Sequence, residues 1–117
     1  MAEKLCNLLK SGSGSGDWKL VGSASGAGAS VNNPSKFSEL YAFVLVDGFG
    51  IGFSHFIPKP IIPTSGSKYM RQGYYINSST AGFSDLEITP TTTKVGPLGV
   101  YINGSSRTDI TLYLYYR

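Results

Sequence analysis

The last run of the chain, DITLYLYYR, alternates in hydrophobicity at every second position. Ile110, Leu112, Leu114 and Tyr116 line one face, and Thr111, Tyr113 and Tyr115 line the other. Because successive side chains of a strand point to opposite faces, this pattern predicts a C-terminal β-strand. Both of its faces are apolar or aromatic, whereas a monomeric sandwich normally has a polar outer face. We therefore expect Tyr113 and Tyr115 to be covered by another surface, such as a second subunit.

The strongest apolar run, FSELYAFVLV at residues 37–46, is rich in β-branched and aromatic residues and predicts a buried strand. The dipeptide Asp47-Gly48 follows it and is typical of a tight hairpin turn. The run GIGFSHFI is the expected return strand. Three prolines then follow within residues 58–63, and because proline lacks the N–H that a ladder needs, this segment should lie at an edge or cross between sheets.

Four more short segments have the composition of strands. They are WKLV at 18–21, KYMRQGYYI at 68–76 with a bulge expected at its glycine, GFSDLEIT at 82–89, and Val100–Ile102 followed by the hairpin signal Asn103-Gly104. Residues 17–117 contain no helical periodicity. Short strands separated by turns predict a single all-β domain, an antiparallel β-sandwich of jelly-roll-like type, over residues 17–117.

Residues 1–16 differ in character from the rest of the chain. Leu5, Leu8 and Leu9 have the i, i+3, i+4 spacing of a short amphipathic helix, and residues 11–16 are strict Ser-Gly alternation. So short a helix is marginal alone in water and needs a partner to pack against. We expect residues 1–10 to anchor the chain in a larger particle, with the Ser-Gly run as a tether. A linker of an engineered fusion would have the same composition.

Composition narrows the classes of function. Charged residues make up only 15% of the chain, below the roughly 25% of an ordinary soluble domain, which suits a protein that hides surface in an assembly. The net charge is +3 and the basic residues are scattered, so we expect no nucleic-acid binding. Cys6 is the single cysteine, which excludes an internal disulfide. With no signal peptide and no apolar run of about 20 residues, we expect neither secretion nor membrane insertion.

The residues that carry chemistry in other proteins have structural explanations here. His55 lies between Phe53 and Phe56 and is expected to be structural, although a triad assembled in space stays open. Asp85 and Glu87 share a strand face about 7 Å apart, which would suit a glycosidase pair or a cation, but two solvated acids are the simpler interpretation. We therefore predict no enzyme activity, no metal and no cofactor.

One aromatic and polar cluster is a candidate contact surface. Tyr69, Tyr74 and Tyr75 lie close in sequence to Arg71 and Gln72. Tyrosine offers a flat face for stacking on a sugar ring and a hydroxyl for hydrogen bonds. Aromatic residues are also enriched at subunit interfaces, so Tyr69, Arg71, Tyr74 and Tyr75 are predicted to contact either a glycan or a protein partner.

The stretches WKLVGSASG and PSKFSELYAFV, with the closing LYLYYR, resemble a small β domain of bacteriophage and prophage proteins from Gram-positive hosts. That domain occurs in tail-fibre, baseplate and related virion proteins. The resemblance covers residues 17–117 and implies a non-enzymatic virion component, often a homotrimer, that is assembled in the host cytoplasm. Its expected partners are copies of itself, other virion proteins and a host-surface glycan.

Two functions follow as hypotheses. The first is a fibre, baseplate or capsid-decoration subunit that assembles through Leu5, Leu8, Leu9, Tyr113 and Tyr115. The second is a carbohydrate-binding module with a lectin-like sandwich. A virion subunit should be oligomeric, whereas a free module should be a monomer with an open aromatic platform.

Overall fold

A computed structural model describes residues 17–117 of the protein, apart from the side chains of Tyr74 and Ile76. These residues form nine strands and one short 3₁₀ turn at Lys59–Ile61. The strands are β1 (Lys19–Ser25), β2 (Ser30–Asn32), β3 (Glu39–Val46), β4 (Ile51–Pro58), β5 (Lys68–Asn77), β6 (Thr80–Ile88), β7 (Thr92–Ile102), β8 (Ser105–Arg107) and β9 (Ile110–Tyr116). The predicted anchor and tether at residues 1–16, with Leu5, Leu8 and Leu9, lie outside the described residues.

The strands pair into two antiparallel sheets. Sheet A has the order β1-β9-β3-β4, and sheet B has the order β2-β7-β6-β5 with β8 added beside the end of β7. The β3–β4 hairpin lies in sheet A and the β5–β6 hairpin in sheet B, while the consecutive strands β1 and β2 belong to different sheets. The predicted antiparallel β-sandwich is therefore confirmed.

The alternation along β9 has the predicted consequence. Its residues Ile110, Leu112 and Leu114 are buried in the core between the sheets, with Tyr116 half-buried against it. The same core receives alternate residues of β3, β4, β6 and β7, among them Leu40, Val44, Phe53, Leu86 and Val100. Tyr113 and Tyr115 lie on the opposite face of sheet A. The faces of this strand could be assigned from sequence because the apolar pattern has a strict period of two.

The two predicted hairpin turns are also present. A turn at residues 47–50 joins β3 to β4, and its tip is held where the backbone N–H of Gly48 donates to the Asp109 carboxylate at 2.9 Å. Asn103 and Gly104 join β7 to β8 with φ values of 51° and 79°. Asn and Gly tolerate this left-handed region, which is the reason the dipeptide favours a tight hairpin.

Two details differ from the sequence prediction. The bulge expected at Gly73 is wrong: Gly73 pairs in register with Phe83, and the irregularity lies between Tyr75 and Asn77. Strand β7 begins at Thr92, well before the predicted Val100–Ile102. Residues 96–99 have no partner on β6, since Val95 pairs with Leu86 and the next pairing joins residues 100 and 84. This insertion, GPLG, protrudes as a bulge and hides the continuity of β7 in the sequence.

Candidate functional site

The outer face of sheet A carries a buried aromatic cluster. Its members are Trp18, Tyr41, Phe43, Leu45 and Tyr115, with Tyr113 half-buried beside them. The ring centres of Trp18 and Tyr41 are 5.9 Å apart, and those of Tyr41 and Tyr115 are 6.2 Å apart. Only 2% of Tyr115 is exposed. The cover that we expected from a second subunit is thus supplied within the chain, so Tyr115 offers no surface to a neighbour.

Polar contacts close this cluster further. The guanidinium of Arg117 lies 4.4 Å from the centre of the Trp18 ring, a cation–π contact. The hydroxyl groups of Tyr41 and Ser54 are hydrogen-bonded at 2.6 Å. Burial raises the pKa of Tyr41, and the hydrogen bond to Ser54 acts in the opposite direction. Aromatic packing makes this cluster a second small core, with Phe56 at its margin 54% exposed.

The outer face of sheet B is different, because two of its tyrosines remain accessible. Tyr69, Arg71 and Tyr75 of β5 lie on this face, since the neighbouring even-numbered Met70 packs against the core. The exposed fractions of Tyr69 and Tyr75 are 62% and 83%. The sequence therefore identified three side chains that the fold brings to one face. The side chain of Tyr74 is not among those described, and Gln72 belongs to the opposite side of the strand.

Arg71 is held in a fixed orientation at the centre of this face. Its Nε and Nη2 donate to the two carboxylate oxygens of Asp85 at 2.7 and 3.0 Å, a bidentate pair. The guanidinium also lies 4.1 Å from the centre of the Phe83 ring, which stacks on Tyr101 at 5.2 Å. The Asp85 side chain is only 7% exposed, whereas that of Arg71 is 55% exposed. The pair presents a preorganised cation to solvent with its carboxylate beneath it.

The expectation that Asp85 is a solvated acid is wrong. Asp85 was also missed from the sequence as a member of the candidate contact surface with Arg71. It shares a strand face with Glu87, as predicted, but it is not a solvated acid, because Arg71 covers it. Phe83, Tyr101 and Leu98 were missed as well. Their sequence neighbourhoods carry no signal for a site. The strand register brings Phe83 and Tyr101 into the same sheet beside Arg71, and the unpaired GPLG bulge places Leu98 near Tyr69.

Two hollows flank the GPLG bulge of β7 on the outer face of sheet B. One has a volume of about 480 Å³ and is lined by Tyr69, Met70, Arg71, Asp85, Pro97 and Leu98. The other, of about 390 Å³, shares Pro97 and Leu98 and adds the charged residues Glu87, Lys94 and Arg107. Arg107 donates from Nε to Asp109 at 2.8 Å, and this bond chiefly lowers the pKa of Asp109 to about 2. The surface thus combines apolar, aromatic and hydrogen-bonding groups.

His55 is buried between the two sheets. Its Nε2 lies 3.2 Å from the Ser84 hydroxyl oxygen, and both residues are almost inaccessible to solvent. Burial lowers the pKa of His55 to about 4, with the nearby Asp85 charge opposing the shift. The pair therefore lies inside the core that the two sheets share, away from solvent. Within residues 17–117, no group of three or more His, Cys, Asp or Glu side chains is placed to hold a metal ion.

Comparisons with known proteins give no match. No protein-family model, no curated protein and no solved structure is significantly similar to this chain. In the described part of the chain, no helix is long and apolar enough to cross a membrane.

Proposed function

We propose that the protein is a non-enzymatic structural component of a bacteriophage particle and that it contacts a partner through the outer face of sheet B. The observation that carries the contact surface is the pair of exposed tyrosines, Tyr69 and Tyr75, beside a guanidinium fixed by Asp85. The phage setting depends on the resemblance of residues 17–117 to virion β domains.

The chemistry of this face suits macromolecular contact. Tyrosine and arginine are enriched at the energetic centres of interfaces. Tyrosine is rigid and loses little conformational entropy on binding. Here both types lie on paired strands, and Arg71 is already fixed by Asp85 and Phe83. In a particle with many copies, individually weak contacts to a host surface add up through multivalency. Self-association, as a trimer according to the resemblance, and contact with other virion proteins belong to the same proposal.

The experiment that tests the contact surface measures binding of the full chain to purified cell walls of a Gram-positive bacterium. Tyr69→Ala should weaken retention about tenfold if this tyrosine is a central contact. The matched control is Leu20→Ala, because Leu20 is similarly exposed at 53% but is outside sheet B. Equal retention of the two variants would contradict the assignment of this face. Light scattering measures the molar mass in solution of residues 1–117 and of residues 17–117. A mass of three chains would support the expected trimer.

A carbohydrate-binding module is the second candidate. It is favoured by the 480 Å³ hollow, in which Tyr69 lies beside the Arg71–Asp85 pair. An aromatic face next to paired polar groups is an arrangement that can stack on a sugar ring and bond its hydroxyl groups. Titration of the monomeric protein with soluble oligosaccharides distinguishes the two. A free module should bind them without assembling, whereas a particle component should self-associate in their absence.

A further inference from the structure

Strand β5 is an open edge of sheet B. It has ten residues, the most of any edge strand in the described part of the chain, and it contains no proline. Strand β2, at the other edge, has three residues, and edge strand β4 of sheet A ends at Pro58. An unpaired edge is a template for another strand, and proteins usually protect it with prolines, charges or short length. Arg71 does not protect this edge, because its guanidinium reaches across the outer face towards Asp85 on β6, away from the edge.

The direction of the free backbone groups on β5 follows from the neighbouring pairs. The N–H of Asn103 donates to the carbonyl of Ala81 at 2.8 Å, so Ala81 directs its backbone groups towards β7. Backbone groups alternate along an antiparallel strand, so Gly82 directs its own towards Tyr74 of β5. The odd-numbered residues of β5 are then left facing the open edge: Tyr69, Arg71, Gly73 and Tyr75.

The sequence of β5 is self-complementary about Gln72. In an antiparallel pair of two β5 strands with its two-fold axis at this residue, Tyr69 lies opposite Tyr75 of the second copy, and Arg71 lies opposite Gly73. This register places odd residues opposite odd residues, so every hydrogen-bonded pair joins residues with outward backbone groups, and the even residues between them form the non-hydrogen-bonded pairs. It also places the exposed tyrosines against each other twice, an aromatic cross-strand pair of the stabilising kind, and brings no two cations into opposition.

We propose that β5 pairs with β5 of a second copy in this register, so that two sheets B form one continuous sheet. This inference rests on the self-association in the proposed function and changes its symmetry at this contact from three-fold to two-fold. The occupant of the edge is the same chain because the complementary residues belong to the same strand. The pairing places the two outer faces side by side, which doubles the surface available to a multivalent partner.

Cysteine cross-linking tests the register directly. Tyr69→Cys and Tyr75→Cys are prepared separately in the full chain carrying Cys6→Ser, then oxidised alone and as a mixture. Opposed residues of a hydrogen-bonded pair have Cα atoms about 5.5 Å apart, which a disulfide spans. Identical positions in the two copies would be about 20 Å apart. We expect covalent dimers in the mixture alone; no cross-linking in the mixture, or equal cross-linking in the separate variants, would overturn the inference.

Charge exchange at the same positions supplies an independent measurement. Tyr69→Lys with Tyr75→Lys places two like-charged pairs in opposition and should raise the dimer dissociation constant at least about tenfold at low salt. Tyr69→Lys with Tyr75→Glu restores opposite charges and should recover the dimer. Leu20→Lys, at an exposed position of β1 in sheet A, is the control that should leave the dimer unchanged.

The molar mass of the protein in solution, measured by light scattering, shows whether the β5 pairing alone is wrong or the proposed function is wrong as well. A trimer that persists in the Lys/Lys variant would overturn the β5 pairing and leave the particle role standing. A wild-type chain that stays monomeric at high concentration would overturn both. Because both tyrosines are mostly exposed, these variants should fold, and circular dichroism checks that they do.

Discussion

The two outer faces of the sandwich are built from the same residue types and differ in accessibility. Sheet A presents Tyr41 and Tyr115, and sheet B presents Tyr69 and Tyr75. Each face also has an arginine over an aromatic ring, Arg117 on one and Arg71 on the other. On sheet A the tyrosines are buried, and on sheet B they are exposed.

The difference lies in what covers each face. Trp18, just before β1, contributes a large ring that packs beside Tyr41 on sheet A. Among the described residues, no comparable segment covers the tyrosines of β5, and the bulge of β7 lines a hollow beside them. Aromatic content therefore does not distinguish a second core from a contact surface. The side chains that cover a sheet face decide which of the two it becomes.

Removing the Trp18 ring from the outer face of sheet A should have the largest effect on stability of the changes considered. Trp18→Ala should lower the free energy of unfolding by about 3–5 kcal/mol, because it deletes a buried indole and leaves a cavity against Tyr41. Urea denaturation followed by circular dichroism measures the change. Tyr75→Ala, on the other face, should change the free energy by no more than about 0.5 kcal/mol. If the two variants lose the same stability, the two faces do not have the different roles assigned to them.

Acid should weaken the junction between the two sheets, where His55 meets Ser84. The folded pKa of His55 is about 4, below its usual 6.5, so the unfolded chain takes up a proton first as the pH falls. The stabilising contribution is complete above pH 6.5 and declines towards pH 4, a loss approaching about 3 kcal/mol. Urea midpoints between pH 7.5 and 4 measure it.

The control for this pH dependence is His55→Gln, which cannot titrate in that range. Its stability should fall less steeply with pH than that of the wild type, since only the carboxyl groups remain to be protonated near pH 4. Parallel curves for the two proteins would show that His55 is not kept neutral by burial. Probes on both sheets should report the same midpoint, because the histidine lies in the core that they share.

The parts of the fold that were predicted from sequence have local causes. The alternation of β9 and the turns at Asp47-Gly48 and Asn103-Gly104 depend on residues that are adjacent in the chain. The start of β7 was missed because Gly96, Pro97 and Gly99 read as a loop, although the strand resumes after the bulge. The local sequence pattern thus predicted strands and turns correctly. It failed for β7, because an insertion interrupts that strand.

The candidate site was predicted in part for the same reason. Tyr69, Arg71 and Tyr75 occupy alternate positions of one strand, so a short stretch of sequence identifies them. The carboxylate that holds Arg71, and the stacked Phe83 and Tyr101, come from β6 and β7, and only the register of the sheet brings them there. The aromatic cluster that contains Tyr115 also includes Trp18 from the opposite end of the described chain, through their shared neighbour Tyr41.

The smallest effect tests how tightly the face of sheet A is closed. A methyl group at Gly52 of β4 would overlap the ring of Phe43, which is buried over that glycine. Gly52→Ala should therefore cost about 1–3 kcal/mol through overpacking. Gly22→Ala is the matched control in β1, because its methyl group would lie 3.5 Å from Val31 Cγ1, an ordinary contact.

Gly22→Ala should be neutral or slightly stabilising, since alanine reduces the freedom of the unfolded chain. Urea midpoints of both variants give the difference, and near-ultraviolet circular dichroism reports whether the aromatic cluster is disturbed. If Gly52→Ala is as stable as Gly22→Ala and the aromatic signal is unchanged, the Phe43 ring has room to move aside. The aromatic side chains on the outer face of sheet A would then be loosely packed, and the two outer faces would differ less in how tightly they are covered.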